Sequence, residues 1–330
     1  MKASLKKGGL IGGYVLFFIV ATAFFASIVF PYQRVRDRIV AAYNTDQAKS
    51  GGGNRLSIGE MSASWFPGVS FHDLTLAMPS SDPMRPPTEL KVESGRVRLG
   101  IMSLLVGTKR INFSLNAFGG NISGSTVLGS SQSLSVDLSD IEFSQVGLIT
   151  EAIGVPTEGK LNGEISFTVP DGKAAKASGS ISLEATDLAI GDGKAKIKGA
   201  LALPRIDVGS LTITAEAKDG VLKFSKIAAG GKDLELQGDG KVQLRDNLGE
   251  STVDLNVKFK INDAYRGKSQ ATKDLFGTPG SNAPALIEIG DARIKQSKRA
   301  DGFYALRVRG PLSRIDFSPA AGAGSSSLAR

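Results

Sequence analysis

Gly154-Val155-Pro156-Thr157-Glu158-Gly159-Lys160-Leu161 comes close to a phosphate-binding loop. Such a loop needs its lysine for the phosphates, a neighbouring Ser or Thr for magnesium, and a helix N-terminus behind it. Here Leu161 stands in place of the hydroxyl, Glu158 would repel phosphate, and a strand pattern comes next. Gly267-Lys268-Ser269 keeps the lysine and the hydroxyl, but Asn262 replaces the leading glycine, so it reads as a lysine on a loop. His72 is the only histidine and there is no cysteine. That excludes thiol nucleophiles, thiolate metal sites and a disulfide frame. A hydrolytic triad would have to be built on His72, within Phe71-His72-Asp73, yet no Gly-x-Ser-x-Gly elbow lies in a strand–turn–helix context. A half-exposed histidine at a strand end is the simpler reading. Asp-Gly pairs at 171–172, 192–193, 219–220, 239–240 and 301–302 have the chemistry of hairpin turns, and no Asp-x-Asp-x-Asp-Gly calcium loop is present. The reading is of a chain that is not an enzyme, with no catalytic residues, no metal site and no cofactor; its chemistry lies in surfaces.

The first such surface is at the amino end. Lys2, Lys6 and Lys7 precede an apolar run from Leu10 to Phe30, and no charge occurs again until Arg34. A helix over this run would be about 31 Å long, close to the hydrocarbon thickness of a bilayer. The membrane-anchor residues are Leu10, Leu16, Phe17, Phe18, Ile19, Val20, Phe24, Phe25, Ile28, Val29 and Phe30. The lysines favour a cytoplasmic N-terminus, and Arg34, Arg36 and Arg38 weaken that vote. The alternative is a cleaved signal peptide with Ala21-Thr22-Ala23 as its site. The run continues through Phe24 to Phe30, which a signal peptide does not need and a span does.

The formal charge of +8 is concentrated near this run. Residues 1–50 hold seven Lys/Arg and two Asp/Glu (+5), and the other 280 residues hold 33 and 30 (+3). Anionic membrane lipids are the natural partner of that flank. No basic stripe with interleaved aromatics occurs, which argues against nucleic acid.

The rest reads as all-β, mainly antiparallel. Residues 1–9 form the cytoplasmic N-terminus, 10–30 the transmembrane helix, and 31–53 a juxtamembrane helix with a Gly51-Gly52-Gly53 hinge. A first β section covers 54–143, a short helix 144–154 (Ser144 as N-cap, Gly154 as stop), and a second β section 155–317. Val253, Leu255, Val257, Phe259 and Ile261 make the best strand. A second short helix is expected at Ala264–Phe276, with strands at Ala285–Ile294, Phe303–Val308 and Ile315–Phe317 and a disordered tail over 318–330. Ile101–Val106 is a short apolar patch of either type. Trp65, the only tryptophan, reads as core at the first strand rather than as an interfacial anchor.

An alternating strand has one apolar face that must leave water. Two short helices cannot cover some sixteen strands. The sheet must close, pair with another, or curl into a gutter whose apolar floor could hold an acyl chain or an extended partner.

Several segments in order resemble a known family. Trp65-Phe66-Pro67-Gly68-Val69-Ser70-Phe71-His72-Asp73-Leu74-Thr75-Leu76 resembles a segment of AsmA-like proteins and of type II secretion system protein N (GspN). Val97-Arg98-Leu99 through Ser103-Leu104-Leu105-Val106-Gly107 looks like their next one. Phe118-Gly119-Gly120-Asn121-Ile122-Ser123-Gly124, Gly159-Lys160-Leu161-Asn162-Gly163 and Leu306-Arg307-Val308-Arg309-Gly310-Pro311-Leu312 fit the same order, and the correspondence covers most of residues 10–317. The short length favours GspN. The resemblance implies an elongated, curled AsmA-like sheet or gutter behind one transmembrane helix. It implies a single-pass inner-membrane subunit of a type II secretion system, its β domain in the periplasm of a Gram-negative bacterium, assembling with other inner-membrane subunits. It brings no catalytic residues. The AsmA side of the kinship implies an alternative, a lipid-handling or outer-membrane biogenesis factor with acyl chains in an apolar groove.

Overall fold

The computed structural model describes residues 14, 17–18, 21–22, 24–25, 29–64, 67–79, 87–149, 154–194, 196–197, 201–202, 204–281 and 283–320. Trp65 lies outside them. The chain divides into two compact units, Met1–Ala117 and Phe118–Arg330. It is mainly antiparallel β with a few short helices, as the alternation requires.

In the first unit, helix α1 (Tyr32–Lys49) precedes strands β1 (Arg55–Ser64), β2 (Gly68–Met78), β3 (Thr88–Leu99) and β4 (Lys109–Ala117), each pairing antiparallel with its chain neighbour. The apolar patch Ile101–Val106 forms a short helix, α2 (Ile101–Leu105). Its first turn is closed by the Ser103 hydroxyl donating to the Gly100 carbonyl at 2.6 Å. Met61 and Phe71 face each other across β1 and β2 and form the buried centre. Phe71 lies over Gly95 of β3, where a Cβ would meet its ring and the Leu115 side chain, so only glycine fits beneath it.

Helix α1 buries no residue completely. It is held by polar side chains laid along the open edge of β1. The Asn44 amide donates to the Leu56 carbonyl at 3.0 Å and accepts from the Leu56 N–H at 2.8 Å, the two bonds a neighbouring strand would supply. Gln33 donates to the Met61 carbonyl at 3.0 Å and Arg36 to that of Gly59. The helix thus runs antiparallel to β1 and occupies an edge that would otherwise recruit another chain. Asn44→Leu should cost about 1–3 kcal/mol of local stability. Hydrogen exchange at the Leu56 amide should then accelerate while the β2–β3 amides stay protected. Unchanged exchange at Leu56 would show that the helix does not guard that edge.

The second unit contains β5 (Gly120–Leu128), β6 (Ser131–Glu142), β7 (Thr157–Pro170), β8 (Ser178–Ile190), β11 (Ile206–Lys218), β12 (Val221–Gly230), β13 (Leu234–Gln243), β14 (Thr252–Ile261), β15 (Tyr304–Pro311) and β16 (Asp316–Pro319). All pair antiparallel in that order. Between β8 and β11, the pieces β9 (Lys196–Ile197) and β10 (Leu201–Ala202) make a separate two-stranded ladder.

Asp171-Gly172 and Asp219-Gly220 are tight turns, with both residues of each pair at positive φ (55° and 65°; 49° and 76°). Asp239-Gly240, expected as a turn, lies inside β13. The helix expected over 144–154 is a 3-10 turn at Phe143–Gln145 followed by helical residues 147–149; residues 150–153 lie outside those described. Ser318, expected as the start of a disordered tail, instead pairs with Arg307 in β16; residues 321–330 lie outside those described.

The largest correction concerns Ala285–Ile294. It is not a strand but parts of two helices. Four short helices close this stretch: α3 (Asp263–Arg266), α4 (Gln270–Phe276), α5 (Leu286–Gly290) and α6 (Ala292–Ser297). The Asp291 carboxylate accepts from the Arg293 N–H at 2.9 Å and starts α6. The expected helix over Ala264–Phe276 is split, because Ser269 caps a new start. Ser269 and Thr272 exchange side-chain and main-chain bonds as a capping box.

Among the described residues, no helix is long and apolar enough to cross a membrane. Within Leu10–Phe30, positions 14, 17, 18, 21, 22, 24, 25 and 29 are helical. Phe17, Phe18, Phe24 and Phe25 there are 72, 72, 59 and 64% exposed. Leu10, Leu16, Ile19, Val20 and Ile28 lie outside the described residues.

Candidate functional site, an apolar row across the second sheet

The apolar face of the second unit is covered at its two ends and not between them. At one end, Val155, Leu188, Ile206, Val208, Ala229 and Ile261 pack against Tyr265 of α3 and Leu275 and Phe276 of α4. At the other, Ala215, Ala217, Leu222, Val242 and Val253 form a second buried cluster, with Phe167, Ile181 and Phe224 against it.

The strands reach the first cluster through a file of bulges. Asp140, Gly159, Asp187 and Gly209 have φ of 56°, 127°, 53° and 70° where the ladders of β6, β7, β8 and β11 shift register. A short Asp side chain tolerates this conformation, and an extra residue reverses the parity of the strand beyond it. On β8 the inward set passes from Ile181, Leu183 and Ala185 to Leu188. On β11 it passes from Ile213 and Leu211 to Val208 and Ile206.

Between the clusters runs a row in cross-strand register, one residue per strand from β6 to β15. It reads Leu138, Gly163, Leu183, Ile213, Ile227, Gly238, Val257 and Leu306. None belongs to either cluster, and all are only partly buried. At ~4.8 Å per strand the row spans about 34 Å. The two glycines remove side chains where the row would otherwise be filled. An apolar strip so placed can bind by area alone.

The chemical motifs fall elsewhere. Lys160 is exposed on β7, 3.9 Å from Asp140, with a strand and no helix behind it. Lys268 lies over the Tyr265 ring at 5.7 Å, and Ser269 serves as the helix cap. His72 is exposed on β2, opposite Glu60 and Ser94. It lines a cleft of about 270 Å³ with Ser70, Ser94 and Ser114; the Ser70 hydroxyl pairs with that of Ser62, and the Ser94 hydroxyl accepts from Asn116.

One polar cluster gives no sign of itself in the sequence pattern. The Glu288 side chain, 4% exposed, accepts from Lys298 at 2.8 Å and from the Tyr304 hydroxyl at 2.6 Å. It ties α5 to the residues after α6 and to β15. Burial pushes its carboxyl up, but the bonds from Lys298 and Tyr304 outweigh that and hold it below its ordinary value. Burial and the neighbouring carboxylate push the Tyr304 phenol up. Because the folded carboxyl titrates below the unfolded one, its contribution is whole above pH 4.5 and drains as pH falls through the folded value. Glu288→Gln should lose about 1.5–3 kcal/mol at neutral pH. Its urea midpoint should fall less steeply than the wild type's on acidification below pH 4.5. Parallel acid limbs would remove Glu288 from the account.

No protein-family model, curated protein or solved structure matches this chain.

Proposed function

We propose that the chain is a non-enzymatic, inner-membrane-anchored component of a type II protein secretion system, related to GspN, with its β body in the periplasm. The run Leu10–Phe30 is its single span. The observation that carries this reading is the half-covered row from Leu138 to Leu306 on a fully paired sheet. A protein that works by contact needs an apolar strip of this kind and no catalytic constellation. The exposed aromatic residues of the helical stretch before Pro31, and the ordered GspN-like segments, support the membrane and the machine. The test is gentle detergent extraction of the full chain from its own cells. Co-purification of other secretion subunits, together with loss of secretion on deletion, is the expected result. Intact secretion without co-purifying subunits would end the proposal.

The second reading, an AsmA-like lipid handler, is favoured by the length and continuity of the row, which suit an acyl chain. Native mass spectrometry of the detergent-extracted chain separates the two. Lipid retained in stoichiometric amount, and lost in Ile213→Asp, would favour lipid handling.

A further inference from the structure

Behind the apolar row, the polar side of β12–β15 is hollow. Lys226, Asp239, Asn256, Lys258 and Arg307 alternate with the row, and with Arg299 they line a cleft of about 590 Å³. A second cleft of about 420 Å³ adjoins it, adding Lys223, Lys241 and Asp254 and sharing Asp239, Asn256 and Arg307. The register sets this side. Lys298 pairs with Tyr304, so Arg299 falls opposite Phe303, on the face away from the Tyr304–Phe259 stack.

The charges in this hollow do not cancel. Asp254 is engaged by Arg307 at 2.8 and 2.9 Å and by Arg309 at 3.1 Å, which hold its carboxyl far below the usual range. Asp239 accepts from Asn256 at 3.1 Å. Lys223, Lys226, Lys241, Lys258 and Arg299 make no ion pair among the described residues. The second unit as a whole has 26 Lys/Arg against 25 Asp/Glu, so this excess is local. The Arg299 Nε is buried and has no hydrogen-bond partner, while the Arg299 main chain is fixed by donation to the Phe303 carbonyl at 2.7 Å. The Arg299 side chain is only partly buried and lines the cleft, so a ligand there can supply the acceptor that its guanidinium lacks at Nε.

We propose that this cleft binds a phosphate-bearing anion, with Arg299 as the hydrogen-bonding donor and Lys226 and Lys258 as point charges. The volume is that of a small-molecule site rather than of a flat protein contact. A guanidinium fork flanked by ammonium groups suits phosphate oxygens better than a lone carboxylate. The row positions Ile227, Gly238, Val257 and Leu306 also line this cleft, and the charged side chains that would hold the anion are the ones that alternate with the row.

The test uses the full chain in neutral detergent at low salt, titrated by calorimetry with pyrophosphate and with dihexanoyl phosphatidate. Dihexanoyl phosphatidylcholine is the zwitterionic control. Saturable binding is expected, weakened by salt. It should fall about tenfold in Arg299→Gln and more in Lys226→Glu/Lys258→Glu, and be unchanged in Lys232→Glu, which lies outside the cleft. Phosphatidate binding that pyrophosphate does not displace assigns a lipid headgroup; pyrophosphate binding alone assigns a free phosphorylated compound. Absence of saturation by either at millimolar concentration, or binding that survives the double charge reversal, overturns the proposal. So does cleft-dependent capture of polyglutamate without capture of phosphate.

Discussion

Tyr265→Ala should destabilise the second unit by about 3–5 kcal/mol, whereas Tyr265→Phe should cost about 1 kcal/mol. Tyr265 is 1% exposed and is the largest fully buried side chain among those described. Its ring lies tilted against Phe276 at 5.9 Å, and its hydroxyl donates to the Pro204 carbonyl at 2.8 Å. Burial, with Asp233 nearby, pushes the phenol up, so it stays a donor at every ordinary pH. The ring therefore fills the end cluster, and the hydroxyl pins the segment entering β11. Urea unfolding of the two variants separates these roles. Equal costs would mean that the ring's packing is not what joins helix to sheet.

Phe17→Arg with Phe18→Arg should move the chain from the membrane pellet to the carbonate-soluble fraction. Each arginine near the centre of a span costs about 2.5–3.5 kcal/mol, so the pair reverses insertion of a single helix. Both phenylalanines are 72% exposed in the structure, so their replacement removes little protein packing. Retention in the pellet would show that something other than Leu10–Phe30 moors the protein. A mature wild-type chain beginning just after Ala23 would instead establish the signal-peptide alternative.

How much of the structure is legible in the sequence depends on the type of element. Helix α1 and the strand β14 emerge directly from spacing, because nothing interrupts their period. The bulges do not, since a two-residue period assumes that each strand keeps its parity. The break at Phe71-His72-Asp73-Leu74 is visible as two polar residues between apolar ones, and Asp73 has φ of 53°. Ile287-Glu288-Ile289 alternates like a strand, yet it is helical. Its Glu288 must be buried against Lys298 and Tyr304, partners that come from later in the chain. Arg299 carries no local signal, because it lies outside the strands and its neighbours in the cleft come from four of them.

The order of the strands bears on how the protein comes to be folded. Every strand of the main ladders waits only for the next to be delivered, apart from the short detour between β8 and β11, so pairing can advance from the amino end as the chain emerges. The end cluster is different. Val155 and Leu188 are available early, but Tyr265, Leu275 and Phe276, which seal them, come much later. A chain stopped after Asn262 should therefore show native ladders by amide exchange and still bind a hydrophobic dye. Full protection of that cluster in the truncated chain would refute a late seal. Until those helices arrive, the half-finished molecule is an ordered sheet with a wet end, the stage at which a chaperone would have something to hold.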